Sequence, residues 1–428
     1  MLVTPTSLNA TGEALVPAGD RTLPMRIVGG IPGELAEVRV THKGSNFITA
    51  EWVSAADPST DRVDPRCEHV HRCGGCPWLH IARPRAHDER TERVRGIFTA
   101  AGVHFPVEAR TGPDRSARHV VKLVAVDMPA SRDGSRVRFG AYRPRSHEVT
   151  SIPGCLALAP GLRRLTDLHP LSLPPGLVRH LIARQSSVDG KILATLVVRN
   201  DHPALRKLEP VLRAAGVSGL ALHENDQPGD GILDPKGRTA SLWGIPTLKE
   251  RTAKDGAEIA VGPTDFFQTN PDVGRQIWAD LPAAGGPVVD LYAGVGTVAL
   301  AMWSRERAIR VFGVEENRPA AARAGENARA LGADATFVSG VAGEVSVPPE
   351  FSGGTVVLNP PRKGTTAAVR AQVAGLEPRR IVYISCHPEP LARDLAEWVG
   401  AGFEVESART YDMFPGTPHV ETVVVLRR

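Results

Sequence analysis

The sequence lacks long hydrophobic runs and any strong excess of charge of one sign. No apolar stretch approaches the roughly 18 residues that a membrane-spanning helix needs, so we expect no such helix. The first residues show no basic start followed by an apolar stretch, so we expect no secretory signal and a cytoplasmic location. Lys and Arg number 51 against 47 Asp and Glu, and a net charge of +4 excludes a histone-like polycation.

Cysteine is also scarce, because only five of the 428 residues are Cys. That number excludes a disulfide framework for a cytosolic protein of this size. Glycine and proline are numerous, at 42 and 36, but they are scattered, which excludes collagen and low-complexity sequence. At about 150 residues per domain, the length predicts roughly three domains.

Four of the five cysteines have the spacing of a metal-ligand set. Cys67, Cys73 and Cys76 follow the pattern C-x5-C-x2-C around a Gly-Gly pair, and Cys155 completes four thiols. Four thiolates suit either tetrahedral zinc or a [4Fe-4S] cluster, and spacing alone does not separate the two. Unligated buried cysteines are the alternative, although they are not typical of a C-x-x-C in a Gly-Gly loop.

Three regions differ in their hydrophobic pattern. Residues 1–58 carry short alternating strands with Gly turns, which are typical of a small β-barrel. Residues 59–260 contain the four cysteines, a helix predicted at about 84–101 and a mixed α+β segment, and we expect that helix to pack on the third region. In residues 261–428, apolar strands alternate with helices, which indicates a parallel α/β sheet covered on both faces. The last two strands lack a helix between them and predict an antiparallel edge.

A Gly-x-Gly loop follows the first strand of the third region. Residues 290–297, DLYAGVGT, place two glycines between an apolar strand and a helix, and Glu315 ends the next strand. Glycine lets the backbone approach a ligand, and a carboxylate at that strand end suits a ribose diol. Asp290 before the loop favours S-adenosylmethionine over a dinucleotide. Its carboxylate would repel the pyrophosphate of a dinucleotide, and S-adenosylmethionine has no pyrophosphate. A tight strand-to-helix turn without a ligand is the alternative.

Cys386 follows a predicted strand at the sheet edge where ligands bind in α/β folds. A thiolate is the best side-chain nucleophile near neutral pH, and its addition to C6 of a pyrimidine makes C5 nucleophilic toward a methyl donor. A base must then remove the C5 proton, and Glu421, at the start of the last strand, is the candidate. The plain alternatives are a buried inert cysteine and a surface glutamate.

Polar residues near this site suggest contacts with a nucleic acid. The Asn359 amide can pair with N3–H and O4 of uracil, and Arg362 and Lys363 can grip a phosphate. Residues 110–145 contain only three acids but nine basic side chains, which predict RNA docking: Arg110, Arg115, Arg118, Lys122, Arg132, Arg136, Arg138, Arg143 and Arg145. The alternatives are that Asn359 is only a turn residue and that the basic side chains belong to solvated loops or faces.

Several of these segments, in this order, resemble the RNA (uracil-5-)-methyltransferase family, which makes 5-methyluridine in ribosomal and transfer RNA. The similar segments are FFQTN at 266–270, DLYAGVGT at 290–297, NPPRKG at 359–364, SCHPEPLARD at 385–394 and DMFPGTPHVET at 412–422. Residues 1–56 resemble the RNA-binding TRAM domain. PRCEHVHRCGGCP at 65–77 and GAYRPRSHEV at 140–149 resemble the branch of the family that acts on 23S ribosomal RNA.

The resemblance implies a Rossmann-like class I methyltransferase sheet in which Cys386 is the nucleophile and Glu421 the proton-abstracting base. The residues that it implies for S-adenosylmethionine are Gln268, Tyr292, Thr297, Glu315 and Asn359. It favours a [4Fe-4S] cluster over zinc on Cys67, Cys73, Cys76 and Cys155. The chain departs from the family at Asn359, where Asp is usual, and at Thr297, where relatives often have Asn.

The expected function is formation of 5-methyluridine in RNA, with ribosomal RNA favoured over transfer RNA and with no membrane or obligate protein partner. A transfer RNA substrate is one alternative. An RNA cytosine-5 methyltransferase is a second, for which the Asn359 amide would rotate to accept from the exocyclic amine. A catalytically silent RNA-binding iron–sulfur homologue is the third, and the intact Cys386 and Glu421 count against it.

Overall fold

The computed structural model describes residues 1–19, 22–70, 72–113, 117–131, 134–229, 231–253 and 256–428. The N-terminal sheet has six strands: β1 (Leu2–Val3), β2 (Ser7–Leu8), β3 (Ala14–Val16), β4 (Met25–Val28), β5 (Leu35–Lys43) and β6 (Ile48–Asp57). Their order is β1-β5-β6-β4-β3-β2. Ala36 and Val38 of β5 are buried while their neighbours are exposed, as the period-two pattern predicts.

The first long helix, α1 (Arg83–Ala100), lies within one residue of its predicted bounds. Pro84 occupies the first turn, where a missing N–H costs nothing, and Gly102 follows the helix end at a φ of +77°. Val94 and Phe98 pack in the core of the C-terminal sheet, and the next strand, β7 (Glu108–Arg110), joins that sheet. Residues 83–110 therefore lie in the C-terminal layer, although the central sheet follows them in the chain.

The central sheet has eight strands. Its elements are β8 (Val120–Ser131), β9 (Gly134–Tyr142), β10 (Val149–Thr150), α2 (Pro160–Thr166), β11 (Leu171–Ser172), β12 (Val178–Gln185), β13 (Ile192–Val198), a 3-10 helix (Pro203–Leu208), α3 (Glu209–Ala214), β14 (Val217–Glu224) and β15 (Thr239–Gly244). The order is β10-β9-β8-β12-β13-β14-β15, and β11 pairs with β9. A separate hairpin of β16 (Leu248–Arg251) and β17 (Glu258–Val261) leads into the last region.

The C-terminal region alternates strands and helices. Its elements are α4 (Pro271–Asp280), β18 (Val288–Asp290), α5 (Thr297–Arg305), β19 (Val311–Glu315), α6 (Arg318–Leu331), β20 (Ala335–Ser339), a 3-10 turn (Pro349–Phe351), β21 (Thr355–Leu358), α7 (Ala367–Gly375), β22 (Arg380–Ser385), α8 (Pro388–Gly400), β23 (Glu404–Tyr411) and β24 (Glu421–Arg427). None of the helices in the described ranges is long and apolar enough to cross a membrane.

The C-terminal sheet has the order β20-β19-β18-β21-β22-β24-β23-β7, and the five strands from β20 to β22 are parallel. This confirms the predicted α/β, Rossmann-like sheet. The predicted antiparallel pairing of the last two strands, β23 and β24, is confirmed, but their predicted position at the edge of the sheet is wrong, because β7 pairs with β23 outside them. The physical reason is that β23 still has unpaired backbone groups on its outer side, which β7 satisfies from a distant part of the chain. The apolar run from Val423 to Leu426 is buried on both faces, as the interior position of β24 requires.

The strand order reverses at β18, which has β19 on one side and β21 on the other. Such a reversal opens a crevice at the carboxyl ends of the parallel strands, and this crevice is the usual ligand site of the fold class. The two glycines of the DLYAGVGT loop lie here with positive φ values, +55° at Gly294 and +84° at Gly296. A side chain at either position would strain the turn that begins α5.

Candidate active site

One edge of the C-terminal sheet collects the chemically important side chains. Asp290 and Glu315 end β18 and β19, while Asn359 and Cys386 directly follow β21 and β22. Glu421 begins β24, which runs antiparallel to β22, so its amino end lies at the same edge. Residues separated by more than a hundred positions in the chain therefore meet along five adjacent strands.

The register of β22 and β24 brings Cys386 and Glu421 together. Ser385 pairs with Thr422 as the last pair of this antiparallel ladder, so continuing the register by one residue sets Cys386 opposite Glu421. Opposed residues of antiparallel strands have their Cβ atoms about 5 Å apart. Cys386 is half-buried, and Glu421 is buried, with 3% of its surface exposed.

Burial controls the proton affinity of both groups. Burial raises the pKa of Glu421 from 4.5 to about 8. Burial also raises the pKa of Cys386, and the nearby charge of Glu421 raises it further, while the charge and a hydrogen bond of Arg362 lower it. The resting site therefore holds its protons on Glu421 and Cys386, and Arg362 is the cation that favours the thiolate.

Arg362 thus lies against Cys386, at the place where a thiolate needs a counter-charge. Phosphate contact by Arg362 and Lys363 stays a prediction.

The loop that carries Arg362 and Lys363 is held by Asp394, a fully buried residue of α8. Asp394 accepts hydrogen bonds from the Thr365 amide at 2.8 Å and from the Tyr383 hydroxyl at 2.8 Å. The sequence offered no sign of this support, because its partners come from three separate elements.

The acids beside the glycine loop differ in their surroundings. Asp290 is buried, and burial raises its pKa to about 7. Its Oδ1 accepts from the Tyr292 amide at 3.2 Å, and its buried Oδ2 has no partner within the described part of the chain. Glu315 accepts from the amides of Gly294 and Asn317, both at 2.8 Å, so its carboxylate closes the loop over the crevice.

Two other residues expected at the cofactor lie at the starts of helices α4 and α5. Gln268 is buried beside the first turn of α4, and Thr297 is the first residue of α5. Asn270 caps α4 by accepting from the Val273 amide at 3.4 Å. Phe267 packs edge-on against a tryptophan of α4, so it belongs to the core rather than to the ligand site.

The four early cysteines line one cavity of about 710 Å³. Burial raises the pKa of Cys73, Cys76 and Cys155, and the charge of Cys67 adds to this for Cys73. Arg118 donates to the Gly75 carbonyl at 3.1 Å and approaches the Cys76 sulfur at 3.6 Å. Within the described ranges, no group of three or more His, Cys, Asp or Glu side chains is close enough to hold a metal ion, so the predicted metal site is not confirmed.

The basic segment 110–145 is only partly available for nucleic acid. Three of its arginines form ion pairs: Arg110 with Asp280 at 3.3 Å, Arg143 with Glu148 at 3.0 Å and Arg145 with Glu13 at 2.6 Å. Arg118 points to the cysteine loop, whereas Lys122 is exposed. Two members of the segment, Arg115 and Arg132, lie outside the described residues. RNA docking on this segment stays a prediction.

A second buried carboxylate was missed by sequence reasoning. Asp412 directly follows β23 and is 1% exposed, and its oxygens accept from Arg83 and Arg90 of α1. The motif at 412–422 contains Asp412, but the arginines lie more than 300 residues away in the chain. Arg90 lies four residues before Val94, at the spacing of the apolar face of α1. An arginine at such a position was the sign in the sequence that could have revealed the pair.

Comparisons with known proteins show what this chain is similar to. A tRNA (Uracil-5-)-methyltransferase family model matches residues 345–428, and a Methyltransferase small domain model matches residues 258–375. An uncharacterized RNA methyltransferase of Geobacter sulfurreducens is 31% identical, over 94% of this chain and 85% of the relative. One from Thermosynechococcus vestitus is 30% identical, over 98% of this chain and 96% of the relative.

A solved structure shares the fold over the whole length. It is the Pyrococcus abyssi tRNA (uracil-54, C5)-methyltransferase in complex with S-adenosyl-L-homocysteine, which is 22% identical and covers 100% of both chains with a TM-score of 0.75. The full-length relatives and the uracil-5 family match lead to one conclusion. This chain belongs to the RNA methyltransferases of the uracil-5 family.

Proposed function

We propose that this protein uses S-adenosylmethionine to form 5-methyluridine in RNA, through covalent addition of Cys386 to C6 of uracil. The observation that carries the proposal is the β22–β24 register, which sets a thiol and a carboxyl group opposite each other at the ligand edge. A nucleophile and a base on adjacent strands are what methylation at C5 of a pyrimidine needs.

The reaction begins from the form in which Cys386 and Glu421 have both released their protons to solvent. The Cys386 thiolate then forms a bond to C6, which turns C5 into an enolate carbon. Bound S-adenosylmethionine supplies the methyl group that C5 receives. Glu421 then takes the C5 proton. The electron pair of that C–H bond restores the C5–C6 double bond while the C6–S bond breaks, and Cys386 leaves as a thiolate. Arg362 favours the thiolate in the first and in the last step of the reaction, because its charge and hydrogen bond lower the pKa of Cys386.

The crevice residues fit S-adenosylmethionine. The buried Asp290 Oδ2 has no partner within the described residues, so a donor on the ligand would satisfy it. Glu315 at the next strand end suits the ribose hydroxyls. Gln268, Tyr292, Thr297 and Asn359 complete the proposed set. The Pyrococcus abyssi structure, which is a complex with S-adenosyl-L-homocysteine, supports the same ligand class.

The proposed substrate is a uridine of 23S ribosomal RNA. The support is the resemblance of the cysteine loop at 65–77 and of residues 140–149 to the ribosomal branch of the family. Because C5 and C6 of a stacked base are shielded, the target uridine must leave its stack to reach Cys386. A transfer RNA substrate is the alternative, since the solved relative is named as a tRNA enzyme.

A [4Fe-4S] cluster on Cys67, Cys73, Cys76 and Cys155 is the second part of the proposal. The donor set fits, because four thiols line one cavity and Arg118 lies beside them to offset negative charge. The sulfur atoms have to draw together to reach ligand spacing. Anaerobically purified protein should contain four irons and four sulfides, which Cys76→Ser should lose and Cys386→Ser should keep. An iron-free protein that binds one zinc ion would refute the cluster.

Nucleoside mass spectrometry tests the reaction. The full-length protein is incubated with S-adenosylmethionine carrying a labelled methyl group and with unmodified ribosomal and transfer RNA. Labelled 5-methyluridine in ribosomal RNA is the expected product. Label only in transfer RNA would move the substrate, label in 5-methylcytidine would replace uracil by cytosine, and no label in either RNA would overturn the proposal.

A further inference from the structure

We propose that Asp412, held by Arg83 and Arg90 of α1, is a positioning residue that fixes Glu421 beside Cys386. This inference rests on the proposed role of Glu421 as the base. It concerns a carboxylate that touches neither Cys386 nor the glycine loop in the contacts described above. Its effect would pass through the loop of residues 412–420, which links β23 to β24.

The two ends of this loop are adjacent in the sheet. Tyr411, the last residue of β23, pairs with Glu421, the first residue of β24. Asp412 and Glu421 are therefore the residues at which the chain leaves and re-enters the ladder. A change in the path of the backbone at Asp412 must be absorbed within the loop or transmitted to the start of β24, where Glu421 lies.

Asp412 is held from both sides by the basic start of α1. Its Oδ2 accepts from Arg83 Nε and its Oδ1 accepts from Arg90 Nη2, both at 2.5 Å. Arg90 is fully buried, so its charge has no water to stabilise it and depends on Asp412. An ion pair bonded at both carboxylate oxygens fixes the direction of the carboxyl group as well as its distance.

The same helix and the chain before it also hold the rest of the loop. Arg90 Nη1 donates to the Thr417 carbonyl at 2.8 Å, so one guanidinium bridges two points of the loop. The Trp78 amide donates to the Gly416 carbonyl at 2.9 Å. With Asp412 fixed at its start and Thr417 near its end, the loop has little freedom before it reaches Glu421.

Stability alone gives a weak reason for this arrangement. The desolvation of two buried charges roughly cancels their attraction, and apolar pairs of the same volume are often as stable. A buried pair at the entrance of a catalytic hairpin instead supplies geometry, which an apolar contact does not specify. Because a misplacement of about 1 Å can cost about 100-fold in rate, we expect the geometry of Glu421 to depend on Asp412.

The test compares wild type and Asp412→Asn on RNA whose uridines carry deuterium at C5. In wild type, we expect labelled 5-methyluridine with an isotope effect on turnover near unity. In the variant, removal of the C5 proton becomes the slowest step. The expected results are about 100-fold slower turnover, a large isotope effect and accumulation of a denaturation-resistant protein–RNA adduct, with unchanged affinity for S-adenosylmethionine.

Two further variants separate positioning from folding. Arg83→Ala removes one donor to Asp412 but keeps the Arg90 pair, and it should raise the isotope effect to a smaller extent. Glu306→Gln is the matched control. Glu306 accepts from the Ala284 and Gly285 amides just before β18, at the amino ends of the parallel strands and so away from the ligand site. It should lower the melting temperature while leaving the isotope effect and the adduct fraction at wild-type values.

The outcomes distinguish this inference from the proposed function. Wild type that yields no 5-methyluridine refutes the proposed function and the inference with it. Active wild type, together with an Asp412→Asn variant that is less stable but has a wild-type isotope effect and no adduct, refutes the inference alone. If Asp412→Asn does not fold, an Arg83→Ala variant with a wild-type isotope effect refutes it in the same way.

Discussion

Replacing Glu421 with Gln should remove a large pH-dependent contribution from the free energy of unfolding. Burial raises the pKa of Glu421 from 4.5 to about 8. An acid with a raised pKa in the folded state contributes stability that is full below its unfolded pKa and is lost as the pH rises through the folded pKa. Between about pH 5.5 and about pH 7.5, linkage with these two values gives a loss of roughly 2 kcal/mol from this one group.

Urea unfolding of wild type and Glu421→Gln at those two pH values measures this contribution. Other buried acids such as Asp290 titrate in both proteins, so they cancel when the two pH dependences are subtracted. Glu404→Gln, at an exposed strand end, is the control and should follow wild type. Equal losses of stability in wild type and in Glu421→Gln would show that Glu421 titrates normally, and the electrostatic argument for the base would fail.

Three other results are expected. Turnover of the wild type should rise with pH toward about 8, because Glu421 acts only when deprotonated; a flat profile would contradict the assignment of Glu421 as the base. Cys386→Ala should abolish formation of 5-methyluridine and of the adduct while calorimetry finds unchanged S-adenosylmethionine binding, and any residual turnover would exclude the covalent route. Asp394→Asn should lower the free energy of unfolding by about 3 kcal/mol, because it removes the charge from a buried network that includes Arg370 and Arg393; an unchanged urea midpoint would refute that account.

The sequence predicted the interior parallel strands well because β18, β19, β21 and β22 are buried on both faces. Such strands are short apolar runs between polar turns, and the run RIVYIS at 380–385 coincides with β22. The order of the strands was not available in the same way. Pairing of β24 between β22 and β23 depends on contacts across the chain, so local pattern could not separate an interior strand from an edge strand.

Strand β7 shows the limit of local pattern most clearly. Its three residues, Glu108–Arg110, carry no apolar alternation and are strand only because β23 offers an unpaired edge. The site divides in the same manner. Cys386 and Glu421 were found from their chemistry, while the contacts that hold them, such as Arg90 with Asp412, join residues 322 positions apart. Side chains that act alone can be recognised in a sequence, whereas supports that act in pairs require the fold.

The contribution of β7 and α1 to the C-terminal sheet has a consequence for any dissection of this protein. A fragment that begins at residue 261 would contain every strand from β18 to β24, yet it would lose both elements. Strand β23 would then present an open edge, and the apolar surface that Val94 and Phe98 cover would meet water. Such a fragment should aggregate rather than behave as an independent enzyme. A fusion that joins residues 83–110 to residues 261–428 through a linker, omitting the central sheet, is the shortest piece that keeps this layer whole.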